Sequence, residues 1–216
     1  MTDQVELFYA PQTRATGVRV LLEELGAPYK LNVLNFKLGE NRQPDYLKIN
    51  PSGKVPVVRR GDAIITEQVA IYLYLADLFP ERGLTPSLNE PLRGPYLRWF
   101  VYMASCFEPA LVDKALNRDE PPHSMSPYGT FDTVMETMRV RLATGPYVLG
   151  ERMTAVDIMW AMGLRWGMMF GIVPELEEFK TFTDSYFQRD APRKVLEEDQ
   201  SMAAEQEDAA VLAGIA

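Results

Sequence analysis

Thiols and imidazoles are nearly absent from this chain: one cysteine, Cys106, and one histidine, His123, stand among 216 residues. A lone cysteine excludes an internal disulfide and fits a reducing compartment. One Cys with one His also falls short of the roughly four nitrogen and sulfur ligands of a structural zinc site. Cationic excess is missing too. Lys and Arg number 22 against 30 Asp and Glu, a net charge of −8, which argues against a nucleic-acid or anionic-membrane partner. The start, MTDQVELFYA, lacks the basic residues and long apolar core of a secretory leader. The longest apolar run, IMWAMGLRWGMMFGIV (158–173), carries Arg165 in its middle and is shorter than the roughly 20 residues of a membrane span. It reads as a buried helix, and the expected location is the cytoplasm. Cys106 reads as an inert small hydrophobe on a helix face, and His123 as exposed in a proline-rich loop.

What is present divides into two halves. VELFYA (5–10) alternates and predicts a strand. TGVRVLLEELG (16–26) carries Val18, Leu21, Leu22 and Leu25 at helical spacing, with Gly26 as a stop. YKLNVLN (29–35) alternates again, so a strand–helix–strand unit with parallel strands is expected. Residues 37–53 are polar and turn-rich, with one short helix near 44–48. KVPVVRR (54–60), Gly61-Asp62 and AIITE (63–67) predict a hairpin. QVAIYLYLADLFP (68–80) predicts a helix closed by Pro80. Beyond the turn-rich stretch 80–91 only helical patterns appear: one face over 95–108, then 131–142, 154–170 and 176–186, and a short helix at 191–199. The remaining tail is acidic, then small and apolar, and is expected to fray.

Three stretches of the first half could carry chemistry. In PSGKVPVV (51–58) a proline interrupts a strand pattern. Pro56 donates no hydrogen bond, and a cis Val55–Pro56 bond would turn the Val55 backbone toward an extended, peptide-like ligand; an edge-strand proline without a ligand is the competing reading. In TEQVAIYLYL, Glu67 suits an ammonium and the Gln68 amide, opening a helix, suits a carboxylate; Glu67 as a mere complement to the helix dipole competes. In YAPQTRATG (9–17), Thr16 is the natural N-cap of the first helix, which leaves Thr13 free to face a ligand at the carboxyl end of a strand. A hydroxyl beside a helix start lowers a thiol's pKa.

The order of PQTRATGVRVLLEELG, GENRQPDYLKINPSGKVPVV, TEQVAIYLYLADLFP and, in the second half, LGERMTAVDIMWA (149–161) resembles the glutathione S-transferase family over residues 5 to 190. The resemblance implies a thioredoxin-like βαβββα domain (1–82), a linker (83–93) and an all-helical bundle domain (94–216) that lines an electrophile pocket and ends in the acidic tail. It implies that Val55, before cis Pro56, pairs with the cysteinyl backbone of glutathione, that Glu67 and Gln68 hold the γ-glutamyl end, and that Asn41, Arg42 and Lys54 lie near the glycyl carboxylate. PQTRAT matches a plant-type loop that puts Thr13 at the catalytic serine position; Gln12, Arg14 and Tyr9 stay open as alternatives. Position 68 departs from the family's usual serine, and the loop has no cysteine. Thr154 and Asp157 match the family's N-capping box, a structural pair. Tyr102, Met103, Trp160, Trp166, Met168, Met169 and Phe170 are expected mostly in the core. The implied function is attack of a glutathione thiolate on a small hydrophobic electrophile by a homodimer without metal. A glutathione-dependent disulfide or peroxide reductase and a non-catalytic binding protein are the alternatives.

Overall fold

The computed structural model describes residues 4–119 and 121–215. The chain forms two compact units, Met1–Phe79 with Arg189–Ala216, and Pro80–Gln188. The first is built on a four-stranded sheet of order β2-β1-β3-β4. β1 (Val5–Tyr9) is central, with Val5, Leu7, Phe8 and Tyr9 buried. It runs parallel to β2 (Tyr29–Val33), a pairing that needs a crossover, and α1 (Ala15–Leu25) supplies it. The predicted apolar stripe, Val18, Leu21, Leu22 and Leu25, is fully buried, and the helix ends at Gly26, whose N–H donates to the Glu23 carbonyl. The turn-rich stretch holds a 3-10 turn, Glu40–Arg42, and the short α2, Pro44–Leu47. β3 (Val57–Arg60) and β4 (Ala63–Ile65) form the expected antiparallel hairpin. α3 (Gln68–Leu78) buries Ile71, Tyr72, Leu75 and Ala76.

The tail departs from expectation. Residues 190–212 are one 23-residue helix, α9 (Asp190–Leu212), and it belongs to the first unit rather than to the helical one. The acidic surface hides a stripe: Pro192, Val195, Asp199 and Ala210 are buried, with Met202, Ala203 and Gln206 half-buried between them. That spacing gives α9 one face to pack, and it lies along α1. Arg189 donates to both Glu24 carboxylate oxygens at 2.7 Å, Lys194 to Glu23 at 2.9 Å, and Arg19 to Glu198. Packing and ion pairs together hold a segment whose composition alone signals fraying.

The second unit is helical. α4 (Arg93–Tyr102) continues through a π-helical stretch, Met103–Phe107, into α5 (Glu108–Ala115), beyond the end predicted at 108. The widened ladder lies directly ahead of Pro109, which has no N–H to give to it, and the helix runs on past that proline. α6 (Phe131–Leu142), α7 (Ala155–Met169) and α8 (Glu177–Phe187) follow as predicted. Trp160 is fully buried. It meets Trp99 and Phe107 edge-on at 5.8 and 5.0 Å, and its Nε1–H donates to the Trp99 carbonyl at 3.2 Å. Gly163 lets α7 approach so closely that a Cβ there would stand 2.1 Å from the Met103 Cε. The end of α7 turns partly outward: Trp166, Met169 and the C-cap residue Phe170 are exposed, while Gly167 stays buried. The capping box is present, with the Thr154 N–H donating to Asp157 Oδ2 at 2.7 Å and the Val148 N–H to Oδ1 at 2.6 Å. Among the described residues no helix is long and apolar enough to cross a membrane.

Candidate functional site

Strand register brings the predicted site residues of the first unit to one end of its sheet. Phe8 pairs with Val57 and Val58 with Ile65. The end of β1, the start of β3 and the end of β4 therefore lie together, and from that end issue residues 10–14, 54–56 and 66–68. A fourth segment is tied to them: the Asn41 Nδ2–H donates to the Gly53 carbonyl at 2.9 Å. Asn41 is buried, so its side chain fixes the loop instead of facing a ligand. Gly53 has φ +63, and a Cβ there would lie 2.7 Å from the Arg42 guanidinium and 2.9 Å from the Asn41 carbonyl, a position only glycine fills without rearrangement.

The 50–56 segment is held from below. The Lys54 carbonyl accepts from Tyr46 Oη at 2.6 Å and from Asn50 Nδ2 at 2.9 Å, and Asn50 Oδ1 accepts from the Ser52 N–H and hydroxyl. Burial pushes the Tyr46 hydroxyl up to about 12, so it remains a donor. Tyr46 and Asn50 are supports that pattern reading misses; an Asn ahead of Pro-Ser-Gly is the available signal. Val55 precedes the cis bond to Pro56, as expected, and is half-buried. Among the described residues its main-chain N–H and C=O take no partner. The exposed Lys54 ammonium and Glu67 carboxylate likewise have none among those residues. The Arg42 Nη1–H donates to the Ser52 carbonyl at 3.2 Å.

Of three non-glycine residues with positive φ among those described, two stand at this sheet end: Gln12 at 56° and Glu67 at 65°. Such conformations cost about 1–3 kcal/mol each and cluster at functional sites. Glu67 caps α3 without a side-chain cap bond, which leaves its carboxylate beside the helix start. The Gln68 side chain does not crowd that start. It donates through Nε2 to the Arg14 carbonyl at 3.3 Å, joining two of the loops.

The β1–α1 loop reverses the expected division of labour between its threonines. Thr16 is inside α1, not its cap, and its hydroxyl donates to Asp199 at 2.8 Å. Thr13 does the local work: its hydroxyl accepts from the Ala15 N–H at 3.2 Å and donates to the Ala10 carbonyl at 2.7 Å. It is half-buried, and the Gln12 side chain is exposed. Tyr9 is fully buried with its hydroxyl donating to Asp199. Burial first, then that carboxylate, hold its pKa well above the ordinary tyrosine value, which removes Tyr9 from the groups able to meet a ligand. Asp199 stands in the acidic run Glu197-Glu198-Asp199, and only its place on the 192–195–199 stripe signals burial. In the second unit Cys106 is a free thiol raised by burial and opposed by Arg98.

Residues 3–77 match the family model described as glutathione S-transferase, N-terminal domain. The chain is 28% identical over 166 residues to glutathione S-transferase GstA of Escherichia coli O157:H7, covering 75% of this chain and 82% of the relative. It is 26% identical over 167 residues to the disulfide-bond oxidoreductase YfcG of Escherichia coli strain K12, covering 71% and 76%. Among solved structures, a glutathione transferase homologue from Sulfitobacter with bound glutathione superposes at TM-score 0.72 and 28% identity, over 93% of this chain and all of that one.

Proposed function

The chain belongs to the glutathione S-transferase family, and from that premise we propose that it binds glutathione at this sheet end and activates its thiolate for attack on a small hydrophobic electrophile. The observation that carries the reading is the Val55 peptide, whose N–H and C=O are without partners among the described residues, flanked by the Lys54 ammonium and the Glu67 carboxylate. These are the groups a γ-glutamyl tripeptide needs. Its cysteinyl backbone pairs with Val55 as an added strand. Its ammonium meets Glu67, and its α-carboxylate meets the Gln68 main-chain N–H at the start of α3. Its glycyl carboxylate is met by Lys54, with Arg42 adjacent.

The thiol then faces the 10–14 loop. Thr13 has one hydroxyl proton, engaged with the Ala10 carbonyl. Donation to sulfur replaces that bond by rotation of the hydroxyl about its C–O bond, while the Ala15 N–H goes on donating to the same oxygen and keeps Thr13 near the helix start. Lowering a thiol pKa by a couple of units takes about 1.4 kcal/mol each, within reach of one positioned donor and a helix dipole. Attack forms a carbon–sulfur bond as the leaving group departs with its electron pair, or as the electrophile's double bond accepts a proton.

A second reading is favoured by the likeness to YfcG and by a loop without cysteine. One bound glutathione thiolate attacks a disulfide sulfur and expels the other sulfur as a thiolate. A second glutathione then attacks the glutathione sulfur of the mixed disulfide, releasing the second substrate thiol and glutathione disulfide. Calorimetric titration with reduced glutathione tests the shared step. Binding in the micromolar to low-millimolar range, abolished in Glu67→Ala, is expected; no heat and no thermal stabilisation at several millimolar ends both readings. Turnover of 1-chloro-2,4-dinitrobenzene against that of bis(2-hydroxyethyl) disulfide then separates them.

A further inference from the structure

The loop that faces the thiol is held by a residue from the far end of the chain. Asp199 is 5% exposed. Its carboxylate accepts from the Gln12 N–H at 3.2 and 3.1 Å, from the Thr16 hydroxyl at 2.8 Å and from the Tyr9 hydroxyl. The donors come from the end of β1, the loop and the first turn of α1, and Gln12 is 187 residues from its acceptor. Gln12 is the residue with φ 56°, a conformation that persists only where surroundings over-determine it. Asp199 is the contact that does so. Thr13 follows directly, its hydroxyl pinned between Ala10 and Ala15, so the setting of Gln12 decides where that hydroxyl lies.

Three hydrogen-bond donors offset the burial of Asp199, while the Arg19 guanidinium is engaged elsewhere. Arg19, 5% exposed, pairs with Glu198, bonds the Tyr29 hydroxyl at 3.2 Å and stands 5.7 Å from the Tyr9 ring centre. A buried carboxylate is tolerable only when fully hydrogen-bonded or paired, and the three donors meet that condition. They also show that the site is shaped for an acid at this position, since an apolar residue would strand all three.

We propose that Asp199 is a positioning residue of the glutathione site, through which α9 holds the 10–14 loop in the conformation that presents Thr13 to the thiol. The proposal rests on the glutathione reading above. It makes turnover depend on a helix that supplies no group to the reacting atoms.

The test is Asp199→Asn, with Lys194→Ala as a control that removes an α9–α1 ion pair and leaves the three donors alone. Amide hydrogen exchange, measured without glutathione, is expected to quicken at Gln12 by on the order of tenfold or more in Asp199→Asn. With 1-chloro-2,4-dinitrobenzene, kcat is expected to fall roughly 10–100-fold. Glutathione affinity, set by Val55, Glu67 and Gln68, stays within about threefold. Lys194→Ala keeps wild-type kcat. A purely structural role would instead lower thermal stability without splitting kcat from affinity. Unchanged Gln12 exchange, or unchanged kcat in a folded Asp199→Asn protein, overturns the proposal. If the wild type itself fails to bind glutathione, the functional reading has failed, and the exchange arm still decides whether Asp199 holds the loop. Should Asp199→Asn not fold, Thr16→Val removes one donor and leaves the carboxylate, and the same two readouts decide.

Discussion

Among the described residues each unit buries one aspartate near a helix start, and the two are bonded in opposite ways. Asp157 is fully buried in the second unit and accepts from Thr154 and Val148, three and nine residues away. Asp199 is almost as buried and accepts from groups 183 to 190 residues away. The first bond set closes a helix on its own approach chain and forms with local folding. The second closes a loop of the first unit with the last helix, and it exists only once both ends of the chain are in place. Local caps make folding units; long-range caps fix the shape of a site.

The largest effect is expected from breaking the local cap. Asp157→Ala strands the buried Val148 and Thr154 amides, and an unsatisfied buried donor costs about 1–3 kcal/mol. With two donors and the α7 start affected, a loss of about 3–5 kcal/mol is expected in urea denaturation followed by tryptophan fluorescence, since Trp99 and Trp160 lie in that unit. A loss below about 1 kcal/mol, the scale of a surface pair, would erase the distinction between the two aspartates.

How far each aspartate could be read in advance follows the same division. Thr154 and Asp157 stand three apart in LGERMTAVDI, and the box is visible in the letters. So are β1, α1, β2, the 57–65 hairpin and α3, because period-2 and period-3.6 patterns are local. Thr16 falls inside α1 because the helix starts one residue before it, at Ala15, with Arg14 at the N-cap position and the Thr13 hydroxyl accepting from the Ala15 N–H. Where the chain leaves β1 decides this, and that is not local to the letters. The cis bond after Val55 and the place of Glu67 at the start of α3 were legible from a strand pattern broken by proline and a helix start. Asp199 was not. Its three partners are spread over the first sixteen residues, and the sequence around it, VLEEDQSMAAEQED, presents charge more plainly than its buried stripe. Asn41 misled for a related reason: its type suits ligand binding, and only the closeness of Gly53 shows the bond it makes instead.

A titration sharpens the comparison at intermediate scale. Burial raises Asp157 from 3.8 to about 6, against the lowering effect of the Val148 and Thr154 hydrogen bonds. The folded chain therefore holds this proton more tightly than the unfolded chain does. The stability Asp157 gains from protonation is complete below about 3.8 and is lost as pH rises through about 6. In a carboxyl carbon NMR titration, one aspartate with a midpoint near 6, absent in Asp157→Asn, is the expected result. A midpoint at or below 3.8 would mean that the backbone donors outweigh burial.

The smallest effect belongs to the rim of α9. Lys194 and Glu23 are 2.9 Å apart with the lysine side chain 54% exposed, so water and salt screen the pair. Lys194→Ala is expected to cost less than about 1 kcal/mol in urea denaturation at low ionic strength and nothing measurable in molar salt. The buried Asp199 contacts are screened far less, so the cost of Asp199→Asn should persist in molar salt. If instead the two variants lose stability together and salt erases both losses, α9 is held by its surface charges. The long-range carboxylate would then be a passenger on the helix, and the loop's shape would have to come from β1 and α1 alone.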